Sequence, residues 1–161
     1  MKKQIPFIIF CILTLVWVGV IFANSAKPGV QSGAASWAVV ELIEDIFQRL
    51  GIEIDVSERF IRKLAHFLEY MLLSLLISAD IFLIIPREKL TYNRYPIFTL
   101  APALGFIVAN VDEFCVQAAT VGRGPSFKDV CIDTSGAFTG AIAFVFVIFI
   151  VSEIRKKRKV S

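Results

Sequence analysis

Long apolar runs separated by short polar segments dominate the chain. The first run covers residues 5–23, and three more cover residues 63–85, 97–117 and 129–152. Each is close to the roughly 20 residues of helix that cross a hydrocarbon core of about 30 Å. The pattern therefore predicts an all-α, polytopic membrane protein with a bundle of four transmembrane helices.

The segment between the first two runs has a different pattern. Residues 24–33 are rich in Ser, Gly and Pro, which predicts a loop. From residue 36 to residue 50, apolar side chains then recur every three or four positions, at Trp37, Val40, Ile43, Phe47 and Leu50. This stripe predicts an outer amphipathic helix, either on the membrane surface or packed against the bundle, since both environments select the same pattern.

Composition agrees with a membrane protein, because 57% of the residues are hydrophobic and only 19% are charged. The net charge of +3 lies mostly in short clusters beside the apolar runs, so nucleic acid is not expected as a partner. The three cysteines, Cys11, Cys115 and Cys131, lack metal-type spacing. Filling the core is their expected role, and a Cys115–Cys131 bridge is the less favoured alternative.

The first run follows Lys2 and Lys3, a pattern shared by signal peptides and first membrane helices. Its length and the poor cleavage site at residues 23–26 favour a membrane helix, although cleavage stays open as the alternative. Pro86 ends the second run, and a basic loop with Arg87, Lys89 and Arg94 precedes the third.

Orientation follows from the basic residues in the connections. Ten Lys and Arg residues lie in the amino end, the 86–96 loop and the tail, and seven are spread over the longer remaining segments. Because cytoplasmic segments carry the excess of positive charge, we expect a multi-pass protein of the cell membrane with both ends in the cytoplasm.

This topology brings polar residues from all four runs to one depth near the outer face. Asp112, for example, lies about 22 Å along the third helix from its inner end, at 1.5 Å per residue. Ionisable groups at membrane depth are expensive unless they are paired or line a wet cavity. We therefore expect a shared outer pocket that binds a ligand through Asn24, Ser25, Lys63, His66, Tyr70, Asp112, Glu113, Gln117, Arg123 and Asp129.

His66, the only histidine, is a candidate general acid or base, and Asp112 and Glu113 are candidate assistants in catalysis. A structural hydrogen bond is the alternative role for His66. No metal and no cofactor are expected, because a second histidine and an HExxH motif are missing and adjacent helical carboxylates point about 100° apart.

Arg123 lies in the glycine-flanked segment Gly122-Arg123-Gly124-Pro125. Its guanidinium suits recognition of phosphate or carboxylate, and an ion pair with Asp112 or Asp129 is the alternative. The acids also have Lys63 as a possible ion-pair partner. Gly136 and Gly140 form a GxxxG pattern, which indicates close helix packing.

Several segments together resemble the VanZ-like family of small membrane proteins, named for a member associated with teicoplanin resistance in Gram-positive bacteria. They are Phe22-Ala23-Asn24-Ser25, Arg62-Lys63-Leu64-Ala65-His66-Phe67-Leu68-Glu69-Tyr70, Asp112-Glu113-Phe114-Cys115-Val116-Gln117 and Gly122-Arg123-Gly124-Pro125-Ser126-Phe127-Lys128-Asp129-Val130, followed by Asp133, Gly136 and Gly140. The resemblance spans nearly the whole chain and implies a single membrane domain over residues 1–161 with four or five helices.

The resemblance also implies a link to glycopeptide or cell-envelope phenotypes, but no settled catalytic activity. The leading hypothesis is a cell-envelope factor whose pocket binds an anionic lipid-linked or peptidoglycan-related ligand, with the 36–50 helix covering the site. Two alternatives are an enzyme that modifies a lipid or envelope head group and a structural subunit of a membrane complex. Whether the chain is an enzyme therefore stays open at this point.

Overall fold

The computed structural model describes residues 4–85 and 95–160, and within these ranges every regular element is a helix. The helices are α1 (Gln4–Ser25), α2 (Gly29–Arg49), α3 (Glu58–Ile84), α4 (Tyr95–Val111) and α5 (Phe127–Val160), and a π-helical segment, Asp112–Gln117, continues α4. Four of these elements are long and apolar enough to cross a membrane: α1, α3, α4 with its π-helical segment, and α5 as far as Arg155. The prediction of an all-α protein with four membrane-spanning helices is confirmed.

The observed helices extend beyond the predicted runs. α3 begins at Glu58 rather than residue 63, and α5 continues through the basic tail to Val160. α2 begins at Gly29, so most of the predicted 24–33 loop is helical. Pro28 fixes the backbone just before α2, and the amide of Gly29 donates to the carbonyl of Val121 at 3.1 Å, which attaches this end of α2 to the rest of the fold.

Part of the predicted topology concerns residues outside the described ranges. These residues are Lys2 and Lys3, the helix-ending Pro86, and the basic loop residues Arg87, Lys89 and Arg94.

α3 is the central helix of the bundle, because it contacts α1, α2, α4 and α5. Its closest neighbour is α5, whose Gly136 lies directly against the carbonyl of Phe67 and whose Gly140 lies against the carbonyl of Met71. The helix-packing role predicted for the two glycines is confirmed. Large apolar side chains fill the centre of the bundle, including Ile21, Leu73, Ile97 and Val130.

The predicted core-filling role is wrong for two of the three cysteines. Cys115 and Cys131 are exposed on the outside of the bundle, Cys11 is half-buried, and all three are free. A thiol is apolar enough to face lipid without a hydrogen-bonding partner, so the bundle does not need to enclose it.

Replacing Gly136 by alanine should destabilise the bundle, because the added methyl group would overlap the backbone carbonyl of Phe67. The expected loss is about 1–3 kcal/mol, the usual range for overpacking. Thermal unfolding of the detergent-solubilised protein measures it. Gly19→Ala is the matched control, since Gly19 also lies inside a spanning helix but has no atom near its added Cβ. Equal melting temperatures for the two variants would contradict this packing.

Candidate functional site

The four spanning helices alternate in direction, so one end of the bundle collects polar residues from each of them. We call this region the polar end. It comprises the end of α1 at Asn24 and Ser25, the first turns of α3, the π-helical segment with the following 118–126 loop, and the start of α5 from Asp129 to Asp133. The structure thus brings together side chains that are distant in sequence, as the alternation of spans predicts.

Asp112 lies at the centre of the polar end and is fully buried. Its Oδ2 accepts a hydrogen bond of 2.7 Å from Ser25 Oγ, at the end of α1, and one of 3.1 Å from Gln117 Nε2. Its Oδ1 has no hydrogen-bond partner among the described residues. A single carboxylate oxygen therefore connects α1 to the π-helical segment while the other oxygen stays available.

Glu113 is also fully buried and accepts two hydrogen bonds. Gln117 Nε2 donates to its Oε2 at 2.6 Å, and the backbone amide of Ser126 donates to its Oε1 at 2.6 Å. Although the two acids are adjacent in sequence, one amide group of Gln117 bonds both carboxylates and joins them in one hydrogen-bond network. The wide π-helical turn explains this arrangement, since its i→i+5 repeat brings Gln117 above Asp112 as well as Glu113.

Arg123 completes this network from the 118–126 loop. Its Nη1 donates to Gln117 Oε1 at 3.0 Å, and its Nη2 lies 3.5 Å from the carbonyl oxygen of Asn24. The alternative of a direct ion pair with Asp112 or Asp129 is wrong: within the described ranges, no carboxylate oxygen lies within 4.0 Å of the Arg123 nitrogens. The amide of Gln117 stands between the cation and the acids.

The charge of Arg123 is retained in this setting. Burial lowers the pKa of its guanidinium, and repulsion from Arg62 lowers it further, whereas Asp112 and Glu113 act in the opposite direction. Because the ordinary pKa of arginine is far above neutral, the side chain remains a cation. A positive φ of 76° at Gly122 lets the loop turn at this point.

The remaining predicted residues surround this network. Lys63 Nζ lies 2.8 Å from Asp129 Oδ1, whereas the alternative of an ion pair between Lys63 and Asp112 or Glu113 is not found among the described residues. Asn24 Nδ2 donates to Glu69 Oε1 at 2.7 Å. Tyr70 is fully buried, and its hydroxyl group has no partner among the described residues.

A cavity of about 140 Å³ opens at the polar end, and α3, Gln117, the 118–126 loop and α5 enclose it. Three permanent cations and two carboxylates line it, together with His66. The complete lining is Arg62, Lys63, His66, Gln117, Gly122, Arg123, Gly124, Asp129, Ile132 and Asp133. The sequence predicts that the 36–50 helix covers this site, but no residue of α2 lines the cavity. α2 contacts the 118–126 loop instead, through the hydrogen bond from Gly29 to Val121.

Sequence reasoning left Asp133 and Arg62 out of the site, although both line the cavity. Asp133 is only 1% exposed, and neither of its carboxylate oxygens has a partner among the described residues. Its position four residues after Asp129 places both acids on one face of α5, which is the signal that identifies it.

The central role of Gln117 gives a stability prediction. In Gln117→Leu, the fully buried Asp112 and Glu113 and the half-buried Arg123 each lose a hydrogen-bond partner, which costs about 1–3 kcal/mol per group. Thermal unfolding in detergent should show a clear decrease in melting temperature. Asn110→Leu is the control, because Asn110 bonds only the Phe106 carbonyl of its own helix. A Gln117→Leu protein as stable as the control would show that the network contributes little.

Comparison with known proteins gives one match. A sequence model for the VanZ/LLP1 family matches residues 10–150, a range that contains the whole polar end. No curated protein matches the chain, and no solved structure does.

Proposed function

The chain belongs to the VanZ/LLP1 family, and on this premise we propose that it is a cell-envelope factor whose polar end binds an anionic head group. The ligand class is a lipid-linked or peptidoglycan-related molecule carrying phosphate or carboxylate. By occupying or shielding such a molecule, the protein lowers the access of glycopeptides such as teicoplanin to their target. The polar end faces the outside of the membrane, where glycopeptides act.

The distribution of basic residues supports this orientation. The last turns of α5 carry five consecutive Lys and Arg residues, from 155 to 159, and lie at the end of the bundle opposite to the polar end. Because positive segments stay in the cytoplasm, both chain ends lie inside and the polar end lies outside.

The observation that carries the proposal is the setting of Arg123. Its partners, the Gln117 amide and the Asn24 carbonyl, are neutral, and among the described residues no carboxylate forms a direct ion pair with it. Its Nε is buried without a hydrogen-bond partner among the described residues, yet the side chain lines the cavity. A guanidinium that is positioned in advance and has a free donor is suited to bind a phosphate or carboxylate oxygen.

The size of the cavity agrees with a charged head group rather than a whole envelope precursor. A single water needs roughly 10–15 Å³ of such space, so about 140 Å³ holds one phosphate or carboxylate group with a few waters. The apolar part of a lipid-linked ligand would then lie along the bundle, where exposed residues such as Phe127 and Phe138 face outward.

Arg123→Ala should abolish glycopeptide tolerance conferred by expression of the protein, while protein level in the membrane stays unchanged. Arg123→Lys keeps the positive charge but not the forked donor geometry, so it should restore tolerance only in part. The minimal inhibitory concentration of teicoplanin, measured beside membrane immunoblots, tests both. Arg49→Ala is the control, because Arg49 is exposed on α2 and pairs only with Asp45.

Two results would contradict the proposal. One is full tolerance in Arg123→Ala at equal protein level. The other comes from labelling with a membrane-impermeant maleimide in a background where the three native cysteines are replaced by serine. A cysteine at Gly124 should react in intact cells and one at Lys157 should not; the reverse pattern would place the polar end in the cytoplasm.

A second candidate function is an enzyme that modifies a head group, and the position of His66 favours it. The imidazole lines the cavity together with Asp133, so a bound head group would meet a group able to transfer protons. The third interpretation, a structural subunit of a complex, loses one of its supports because Gly136 and Gly140 already pack against α3 within the chain.

The enzyme hypothesis predicts a new covalent lipid or envelope product in cells that express the wild-type protein, and its loss in His66→Ala. Mass spectrometry of extracted lipids and cell-wall fragments measures this product. Lys128→Ala, at an exposed neighbouring cation, is the control and should keep the product. If tolerance appears without any new product, the chain acts by binding alone.

A further inference from the structure

We propose that His66, Asp112 and Asp133 form a site for one divalent transition-metal ion beside the cavity. One potential ligand atom from each residue lies within 4.8 Å of the others. The three residues come from α3, the π-helical segment and α5, so only the folded bundle assembles them. This inference goes beyond the proposed function, because metal binding requires neither the anionic ligand nor its orientation in the membrane.

The spacing of the three side chains fits a metal ion. Nitrogen and oxygen ligands lie about 2.0–2.2 Å from zinc, so two ligands of one ion are about 3–4 Å apart. Small side-chain rotations bring atoms within 4.8 Å of one another to that separation. Carboxylates and imidazole are the usual oxygen and nitrogen ligands of such ions.

The unpartnered oxygens are an independent observation that points to a cation. Among the described residues, Asp133 has no hydrogen-bond partner on either oxygen and Asp112 has none on Oδ1, and both residues are at most 1% exposed. Within the described ranges, neither residue forms an ion pair, whereas Asp129 nearby is paired with Lys63. Two ionised, unpaired carboxylates at membrane depth are unfavourable, and a cation bound between them would offset that cost.

The surroundings hold Asp112 in place for this role. Ser25 and Gln117 both donate to Oδ2, which fixes the carboxylate and leaves Oδ1 for the ion. Hydrogen bonds of this kind to the outer oxygen of a metal-binding carboxylate are typical of metal sites. The Nδ1 atom of His66 also has no hydrogen-bond partner among the described residues, since Glu69 Oε2 lies 3.7 Å from it, beyond hydrogen-bond distance.

The ligand set selects the class of metal. One imidazole and two carboxylates favour first-row ions such as Zn²⁺, Co²⁺ or Mn²⁺ over Ca²⁺, which takes oxygen ligands. Three protein ligands would leave a coordination position open, and two of the three, His66 and Asp133, line the cavity. The expectation of no metal weighed only residues that are neighbours in sequence, whereas this set is assembled by the fold.

Metal binding to the purified full-length protein tests the proposal. The protein is prepared in detergent with an affinity tag that contains no histidine, stripped with EDTA, passed through metal-free buffer and titrated with Co²⁺ or Zn²⁺ alone. We expect one ion per chain by elemental analysis. The Co²⁺ form should show visible d–d absorption without the intense band of a cysteine thiolate ligand, since no cysteine belongs to the set.

Asp133→Asn and His66→Gln should each weaken the metal affinity by at least about 100-fold, because loss of a direct ligand exceeds the 10–100-fold effect of an outer partner. Asp80→Asn is the matched control: Asp80 is a carboxylate of α3 with one buried oxygen that has no partner among the described residues, but its other oxygen accepts from Thr14 at the other end of the bundle. The metal affinity of Asp80→Asn should equal that of the wild type.

Zn²⁺ should also raise the melting temperature of the wild type and of Asp80→Asn, but not that of the two ligand variants. This measurement on the wild type keeps the test valid if a variant does not fold. A wild-type protein that retains no Co²⁺ or Zn²⁺ would overturn the proposal, as would unchanged affinity in both ligand variants. A wild-type protein that binds no metal but confers glycopeptide tolerance would contradict the metal site and not the anion proposal. A protein that binds metal but confers no tolerance would contradict the anion proposal and not the metal site.

Discussion

Carboxylates buried in a lipid-embedded bundle need partners from the protein itself, and this requirement organises the polar end. The interior of a membrane offers no bulk water to compensate a charge, so each acid depends on nearby donors or cations. Gln117 meets this requirement for several groups at once. Its amide nitrogen bonds Asp112 and Glu113, and its amide oxygen accepts from Arg123. The single amide thus couples two acids to a cation without a direct ion pair.

The same requirement explains how α1 is attached to the bundle. This helix is apolar but hardly buried, and Ile21 and Ser25 are its only buried residues. Hydrogen bonds fix it along one face instead: Thr14 to Asp80, Trp17 to the Glu69 carbonyl, and Ser25 to Asp112. Removal of α1 as a signal peptide would leave these acceptors in α3 and the π-helical segment without their donors.

The sequence predicts the spans and the polar end for a simple physical reason. Run length sets which helices cross the membrane, and the alternation of directions then sets which polar residues share a depth. The finer arrangement was not predictable, because it depends on contacts between segments. Regular α-helical geometry separates Asp112 from Glu113, and only the π-helical turn brings Gln117 to both. The sequence shows Asp133 on the same face as Asp129, four residues along the fourth run, but only the folded bundle shows that it lines the cavity.

A metal ion at the proposed site would change the charge that an anion in the cavity experiences. Three cations and two carboxylates in the cavity lining leave a net charge of +1, counting Arg62, Lys63 and Arg123 against Asp129 and Asp133. That excess alone attracts an anion only weakly. A divalent ion between Asp133 and Asp112 would neutralise the unpaired acids and add an open coordination position toward the cavity. An anionic head group would then contact Arg123 on one side and the ion on the other. Gln117 would fix the relative positions of the two sides, because it is hydrogen-bonded to both Arg123 and Asp112. In this arrangement the metal ion neutralises the unpaired acids. A cavity lined by two carboxylates can then still bind an anion.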